Sequence, residues 1–259
     1  MRSDALSGFA PHIRTFPTTA SADGSPQLLF FPHSGSSAAS YRGLAGRLAD
    51  IARPACVQYP GRAERRSSPP FTDVHALADE LAQAFAAWHE GGPVVLFGHS
   101  LGAAVAYEVV RRTADQRRLV LVASGHPAPS RLGLPSIVPP GDGTGDPDQP
   151  LVDLLRSLGD DSGLLDHPVL RAFFLPVIRG DLAAHGRYRP EPGATVACPV
   201  VALMGNADPL TDPADVQAWE QHTTAAFRMH TFHGGHFFTN ERAGEVADVL
   251  RALCARAAS

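Results

Sequence analysis

Gly98-His99-Ser100-Leu101-Gly102 lies between two segments of different character. Val94-Val95-Leu96-Phe97, just before it, is a short apolar run that reads as a fully buried strand. Ala103-Ala104-Val105-Ala106-Tyr107-Glu108-Val109-Val110, just after it, carries no breaker and reads as a helix. A G-x-S-x-G turn between strand and helix presents its serine as a nucleophile. Such a serine sits on a tight, strained turn, and Gly98 and Gly102 remove side chains that would collide with neighbouring backbone. The first turn of the helix then points free N–H groups, and the positive end of its dipole, at the reacting centre. Ser100 is therefore the candidate nucleophile.

A serine of this kind needs a base and an acid, and both are expected later in the chain, acid first. Pro199-Val200-Val201-Ala202-Leu203-Met204 reads as a strand running into Gly205-Asn206-Ala207-Asp208-Pro209. Phe227-Arg228-Met229-His230-Thr231-Phe232 reads as another, running into His233-Gly234-Gly235-His236-Phe237-Phe238. His236 is expected to take the proton from Ser100, with Asp208 fixing the imidazole tautomer and stabilising the imidazolium. Asp212 and Asp215 are rival acids, although Asp212-Pro213 has the look of a helix cap and first turn. His233 is the rival base. His230, His233 and His236 also invite a metal reading, but no carboxylate or cysteine stands nearby at ligand spacing, so no metal is expected. His99 is expected to pack and hydrogen-bond within the elbow.

An oxyanion formed at Ser100 needs two backbone N–H donors: one from Leu101 and one from the loop after the first strand. Leu28-Leu29-Phe30-Phe31 is that strand, and Pro32-His33-Ser34-Gly35-Ser36-Ser37 that loop, with Gly35 permitting an unusual conformation. Ser34 is the expected second donor.

Strands near Leu28–Phe31, Ala52–Gln58, Val94–Phe97, Leu119–Ala123, Val200–Met204 and Phe227–Phe232 alternate with helices near Ala39–Ala49, Val74–His89, Leu101–Arg112, Ala214–Gln221 and Ala243–Arg256. That alternation predicts an α/β fold: a mostly parallel central sheet with helices on both faces. With 259 residues, 44% hydrophobic and 19% charged, the chain has enough apolar material for one large core. A net charge of −4 gives no electrostatic case for nucleic acid. The basic residues are all arginine. Cys56, Cys198 and Cys254 are odd in number and far apart, which predicts free thiols in a reducing compartment. Met1 to Ser25 lacks an apolar targeting core, and no run approaches membrane-spanning length, so a cytoplasmic protein that avoids the membrane is expected.

Five motifs taken together resemble the type II thioesterases, the editing hydrolases of polyketide synthases and non-ribosomal peptide synthetases. They are Phe31-Pro32-His33-Ser34-Gly35, Gln58-Tyr59-Pro60-Gly61-Arg62, Gly98-His99-Ser100-Leu101-Gly102, Leu175-Pro176-Val177-Ile178-Arg179-Gly180-Asp181 and Gly234-Gly235-His236-Phe237-Phe238. The resemblance implies an α/β-hydrolase fold and a Ser-Asp-His triad that maps onto Ser100, Asp208 and His236. It implies hydrolysis of acyl thioesters on the phosphopantetheine arm of acyl or peptidyl carrier proteins, releasing stalled or aberrant groups. The substrate brings the phosphopantetheine, so no cofactor of the enzyme's own is expected. A carboxylesterase or lipase-type hydrolase is the alternative, since it would share the triad. A terminal thioesterase embedded in a synthetase is less expected, because this chain carries no carrier domain, and a monomer is expected.

The strand–helix alternation breaks between about Gly125 and Gly193, too long an interval for a simple crossover. The chain is therefore read as one domain, 1–259, with a lid inserted at about 126–192. The insertion opens with the Pro- and Gly-rich stretch Pro127–Pro150, in which Gly141-Asp142-Gly143-Thr144-Gly145-Asp146 reads as a loop. Helical segments follow at Leu151–Leu158 and Val169–His185. Phe173, Phe174, Phe237 and His33 are candidate substrate contacts; the apolar lid helices and Phe237-Phe238 suit an acyl chain, although Phe173, Phe174 and Phe238 could equally be core. Arg62 is a candidate contact for the phosphopantetheine arm or an acidic carrier protein, and a solvated loop is the plainer reading of its basic run with Arg65 and Arg66.

Overall fold

A computed structural model of the chain describes residues 12–21, 24–132, 146, 148–159 and 163–257. Among them, seven strands form one sheet: β1 (Ile13–Thr15), β2 (Gln27–Phe31), β3 (Arg53–Val57), β4 (Val94–His99), β5 (Leu119–Ser124), β6 (Val200–Gly205) and β7 (Phe227–Phe232), in the order β1-β3-β2-β4-β5-β6-β7. All neighbours run parallel except β1, which pairs antiparallel with β3. This is the α/β-hydrolase architecture expected. β1 was not anticipated: three residues of partly exposed Ile-Arg-Thr carry no apolar alternation, and only the open edge of β3 makes them a strand.

The helices are α1 (Arg42–Gly46), α2 (Val74–Trp88), α3 (Leu101–Arg111), α4 (Gln149–Ser157), α5 (Pro168–Arg187), α6 (Pro213–Gln217), α7 (Phe238–Glu241) and α8 (Ala243–Ala257). Two are shorter than their sequences predict. The segment expected at Ala39–Ala49 is a 3₁₀ turn over Ala38–Tyr41 followed by α1, with Gly43 and Gly46 weakening the helix. That expected at Ala214–Gln221 is α6 continued by a 3₁₀ turn.

The central strands are apolar at most positions because both faces of the sheet are covered. Leu29 and Phe31 of β2 point into a cluster with α2 and α3, while Leu28 and Phe30 point into a second cluster with α1 and α8. Asp73 caps α2 by accepting the Ala76 N–H at 2.8 Å. Cys56, Cys198 and Cys254 are buried, unpaired thiols. No helix among the described residues is long and apolar enough to cross a membrane.

The chain leaves β3 on one side of β2 and resumes with β4 on the other, so the order reverses between β2 and β4. Ligands in open α/β sheets collect beyond the carboxyl ends of strands at such a point. Register carries the ends to one rim: Phe31 lies opposite Gly98, His99 opposite Ser124, and Gly205 opposite Phe232. The loops holding Ser34, Ser100, Asp208 and His236 all leave from that rim. Above it, α4 and α5 build a small apolar cluster of their own around Leu151, Val152, Leu165 and Leu175. Residues 133–145 of the Pro- and Gly-rich stretch, including Gly141–Gly145, lie outside the described residues.

Candidate active site

Ser100 has φ +54° and ψ −125°, a left-handed conformation that a residue with a Cβ adopts only under constraint. Packing imposes it. A Cβ on Gly98 would stand 2.2 Å from the Gly102 carbonyl oxygen, and one on Gly102 would stand 2.0 Å from that of Phe31. The elbow is therefore pressed against β2, which the two glycines alone allow. Ser100 N–H donates to the Ser124 carbonyl at 2.8 Å, and its own carbonyl accepts from Ala103 N–H at 2.8 Å to open α3. The serine side chain faces a cavity shared with His236.

The loops after β6 and β7 are stitched to each other. Ala207 N–H donates to the Gly234 carbonyl at 2.9 Å, Asn206 N–H to that of Phe232 at 2.9 Å, and Gly234 N–H to Asn206 Oδ1 at 3.1 Å. A Cβ on Gly205 would reach the Gly235 carbonyl at 2.4 Å, so the approach requires glycine there. That stitching brings His236 Nδ1–H to Asp208 Oδ2 at 2.8 Å, with both residues buried, while Asp208 Oδ1 accepts the Leu210 N–H at 2.9 Å. Because the carboxylate accepts at Nδ1, the neutral tautomer that this contact selects for His236 has its hydrogen on Nδ1 and its lone pair on Nε2. The rival groups stand elsewhere. Asp212 caps α6 through the Ala214 N–H at 2.8 Å, Asp215 lies 3.9 Å from Arg131, and His230 and His233 face outward.

His99 is fully buried beneath the site, with Nδ1 3.0 Å from Ser124 Oγ, and burial holds its pKa well below the ordinary 6.5. His33 lines the cavity, with its ring 5.3 Å from that of Phe237. Burial lowers its pKa to about 3, so it is neutral at physiological pH. Ser34 lines the same cavity as Ser100, Leu101 follows Ser100 in the chain, and neither amide has a backbone acceptor among the described residues.

Three of the candidate contacts are not at the cavity. Phe173 is 56% exposed on α5, and Phe174 packs against it and toward the α4–α5 cluster. Neither is part of the cavity wall: Phe173 faces outward, and Phe174 turns to the α4–α5 cluster instead. The aliphatic wall comes instead from Leu154 and Leu155 of α4, Leu158 at its C-cap, Ile178 and Leu182 of α5, and Leu210. Arg62 is neither solvated nor free for a ligand. It is 4% exposed, and its guanidinium grips Asp181 of α5 in a two-pronged ion pair at 2.6 and 2.8 Å.

The sequence reading also passed over a polar patch in that wall. His126, after β5, and His185 of α5 are buried and meet Nε2 to Nε2 at 2.9 Å. His126 Nδ1 lies 2.6 Å from the Pro127 carbonyl, which only accepts, so Nδ1 carries the proton and Nε2 accepts from His185. Burial lowers the two pKa values to about 3 and about 4, and the pair is neutral. A helical signal for it existed: Asp181, His185 and Tyr188 follow i, i+4, i+7 spacing, which places three polar side chains on one helix face.

The thioesterase domain family matches residues 26–254 of the chain. A probable cadicidin biosynthesis thioesterase of Streptomyces griseus is 35% identical over 230 residues, which are 88% of this chain and 62% of that protein. Thioesterase PikA5 of Streptomyces venezuelae is 34% identical over 226 residues, 86% of this chain and 78% of its own length. The structure of the type II thioesterase BorB, from the borrelidin biosynthetic cluster, superposes with a TM-score of 0.82 at 36% identity, covering 96% of this chain and 98% of BorB. The chain thus spans less than two thirds of the first of these relatives and nearly the whole of BorB.

Proposed function

The chain belongs to the thioesterase domain family, and from that premise we propose that it is a type II editing thioesterase. It hydrolyses acyl groups from the phosphopantetheine arm of carrier proteins in polyketide or non-ribosomal peptide synthesis. The observation that carries the reading is a strained Ser100 and an Asp208-bound His236 opening onto one aliphatic cavity. Such a cavity accepts an acyl chain without fine discrimination, which suits an enzyme that clears misloaded groups.

In the proposed mechanism the thioester carbonyl lies between Ser100 and the N–H groups of Leu101 and Ser34. Ser100 Oγ attacks the carbonyl carbon while His236 Nε2 takes its proton, and Asp208 stabilises the imidazolium through Nδ1–H. The oxyanion is held by the two N–H donors, each contributing on the order of 10²–10³ in rate. Its collapse breaks the C–S bond, and His236 returns the proton to the departing pantetheine sulfur. Water then attacks the acyl-serine, gives a proton to His236, and frees the carboxylic acid as Ser100 is reprotonated. The residues supply acid, base, nucleophile and oxyanion donors, so no cofactor enters the proposal. Carrier protein, monomeric state and cytoplasmic location belong to the same reading.

The test is release of acyl groups from a phosphopantetheinylated carrier protein, with matched oxygen esters alongside. The expected outcome is thioester cleavage by the natural chain and a loss of about 10⁴–10⁶-fold in Ser100→Ala. Cleavage of oxygen esters with no acyl release from the carrier would replace the reading with that of an esterase.

A further inference from the structure

α5 does more than cover the cavity: its second half touches the loop that carries Ser34. Gly35 has φ +76°, and a Cβ there would stand 2.3 Å from Ile178 Cγ1, so the loop is wedged beneath the helix. One turn further along, Asp181 is 1% exposed and accepts the Gly35 N–H at 2.8 Å on Oδ2. The same oxygen accepts Arg62 Nη1–H at 2.8 Å, while Oδ1 accepts Nη2–H at 2.6 Å. Arg62 Nη1 also donates to the Ser36 carbonyl at 3.1 Å, and its guanidinium lies over the Tyr59 ring at 5.3 Å. The loop is thus held at Gly35 by the carboxylate and at Ser36 by its partner cation.

Two adjacent amides of this turn have different fates. Gly35 N–H is bound to Asp181, whereas Ser34 N–H has no backbone acceptor. Moving the Ser34–Gly35 region would break the bond from Gly35 N–H to the buried Asp181 carboxylate and the bond from Arg62 to the Ser36 carbonyl, leaving the ion pair intact but the loop unheld. A carboxylate beside a developing oxyanion would oppose catalysis if it were bare. Arg62 cancels that charge with the fork geometry that matches a carboxylate best. The pair therefore supplies rigidity without an adverse field.

Resting on the thioesterase reading, we propose that Asp181 is a positioning residue: it makes the second half of the lid helix part of the oxyanion scaffold, fixing Gly35 so that Ser34 N–H stays available to the carbonyl oxygen. Hydrolysis then requires this half of α5 to be seated on the body.

The test compares the natural chain with Asp181→Asn, which keeps the shape but removes the charge, and with Arg62→Met. Acyl-pantetheine turnover is measured per active site, counted by a fluorophosphonate probe, beside binding of a trifluoromethyl ketone that forms an oxyanion on Ser100. The expected result is a fall of about 10- to 100-fold in kcat with KM within about twofold, and a matching loss in ketone affinity. A role in folding alone would lower the number of labelled sites and leave kcat per site unchanged, and that result overturns the proposal. So does a rise in KM at constant kcat. If the natural chain labels with the probe yet cleaves no thioester, the thioesterase reading fails, and ketone binding still decides the positioning role.

Discussion

The two halves of α5 meet the rest of the protein in different ways. Before Pro176 the helix leaves Val169 70% exposed and Phe173 56% exposed, and Arg171 holds Asp146 through a partly exposed ion pair. Pairs of that kind contribute about 0–1 kcal/mol. Beyond Pro176, Asp181, Ala184 and His185 are buried, as is Tyr188 at the helix end. Each polar member of that set is bound to a different part of the body. Asp181 holds the loop after β2, His185 meets His126 after β5, and Tyr188 O–H donates to the buried Glu108 of α3 at 2.7 Å. Pro176 marks the change, since it removes one backbone hydrogen bond from the helix. One continuous helix thus carries a covering segment and an anchored segment, and continuity of secondary structure says little about which parts move together.

The contrast predicts a descending series of effects. At the strand ends, Asp208→Asn should cost about 10⁴-fold in kcat with little change in fold, because the amide no longer selects the His236 tautomer. Steady-state turnover on an acyl-pantetheine checks it, and a loss below tenfold would break the assignment of the acid. The anchored half comes next, through the Asp181→Asn effect described above.

Below that lies a pH effect from the anchored half. His126 and His185 have folded pKa values lowered by burial to about 3 and about 4, from an ordinary 6.5. Between about pH 6.5 and pH 4 the unfolded chain binds protons that the folded chain refuses, so stability falls as pH falls. The slope is about 1.4 kcal/mol per pH unit for each histidine, and no such loss arises above pH 6.5. Denaturant unfolding across this window should show a shallower slope in His185→Leu; an unchanged slope would remove His185 from the set of neutral anchors. Smallest of all, Val169→Ser on the covering half should shift stability by less than about 0.5 kcal/mol. A larger loss in thermal unfolding would mean that this half is anchored too.

Much of this site could be read from local sequence. Glycines flanking Ser100 signalled a turn too tight for side chains, and the clashes at Gly98 and Gly102 give the physical reason. The apolar run before Asp208 signalled a strand end, because a strand buried on both faces is apolar throughout, whereas the edge strand before His236 alternates and is partly exposed. Arg62 misled for a general reason. An arginine in a polar run reads as solvated, and its partner Asp181 lies 119 residues further along the chain. Nothing local to either residue announces the pair. Phe173 and Phe174 misled because apolar spacing locates a helix but not which of its faces meets the cavity.

By itself the sequence determined the α/β alternation, the tight turn at Ser100 and the order in which Ser100, Asp208 and His236 follow along the strand ends. Those are set by short-range sterics and by burial patterns with periods of two and 3.6 residues. Tertiary structure alone decided which helix face lines the cavity, that the two histidines pair, and that α5 contacts the loop bearing Ser34. Each of these depends on contacts between segments far apart in the chain, where the cost of burying a charge or an imidazole selects the partner.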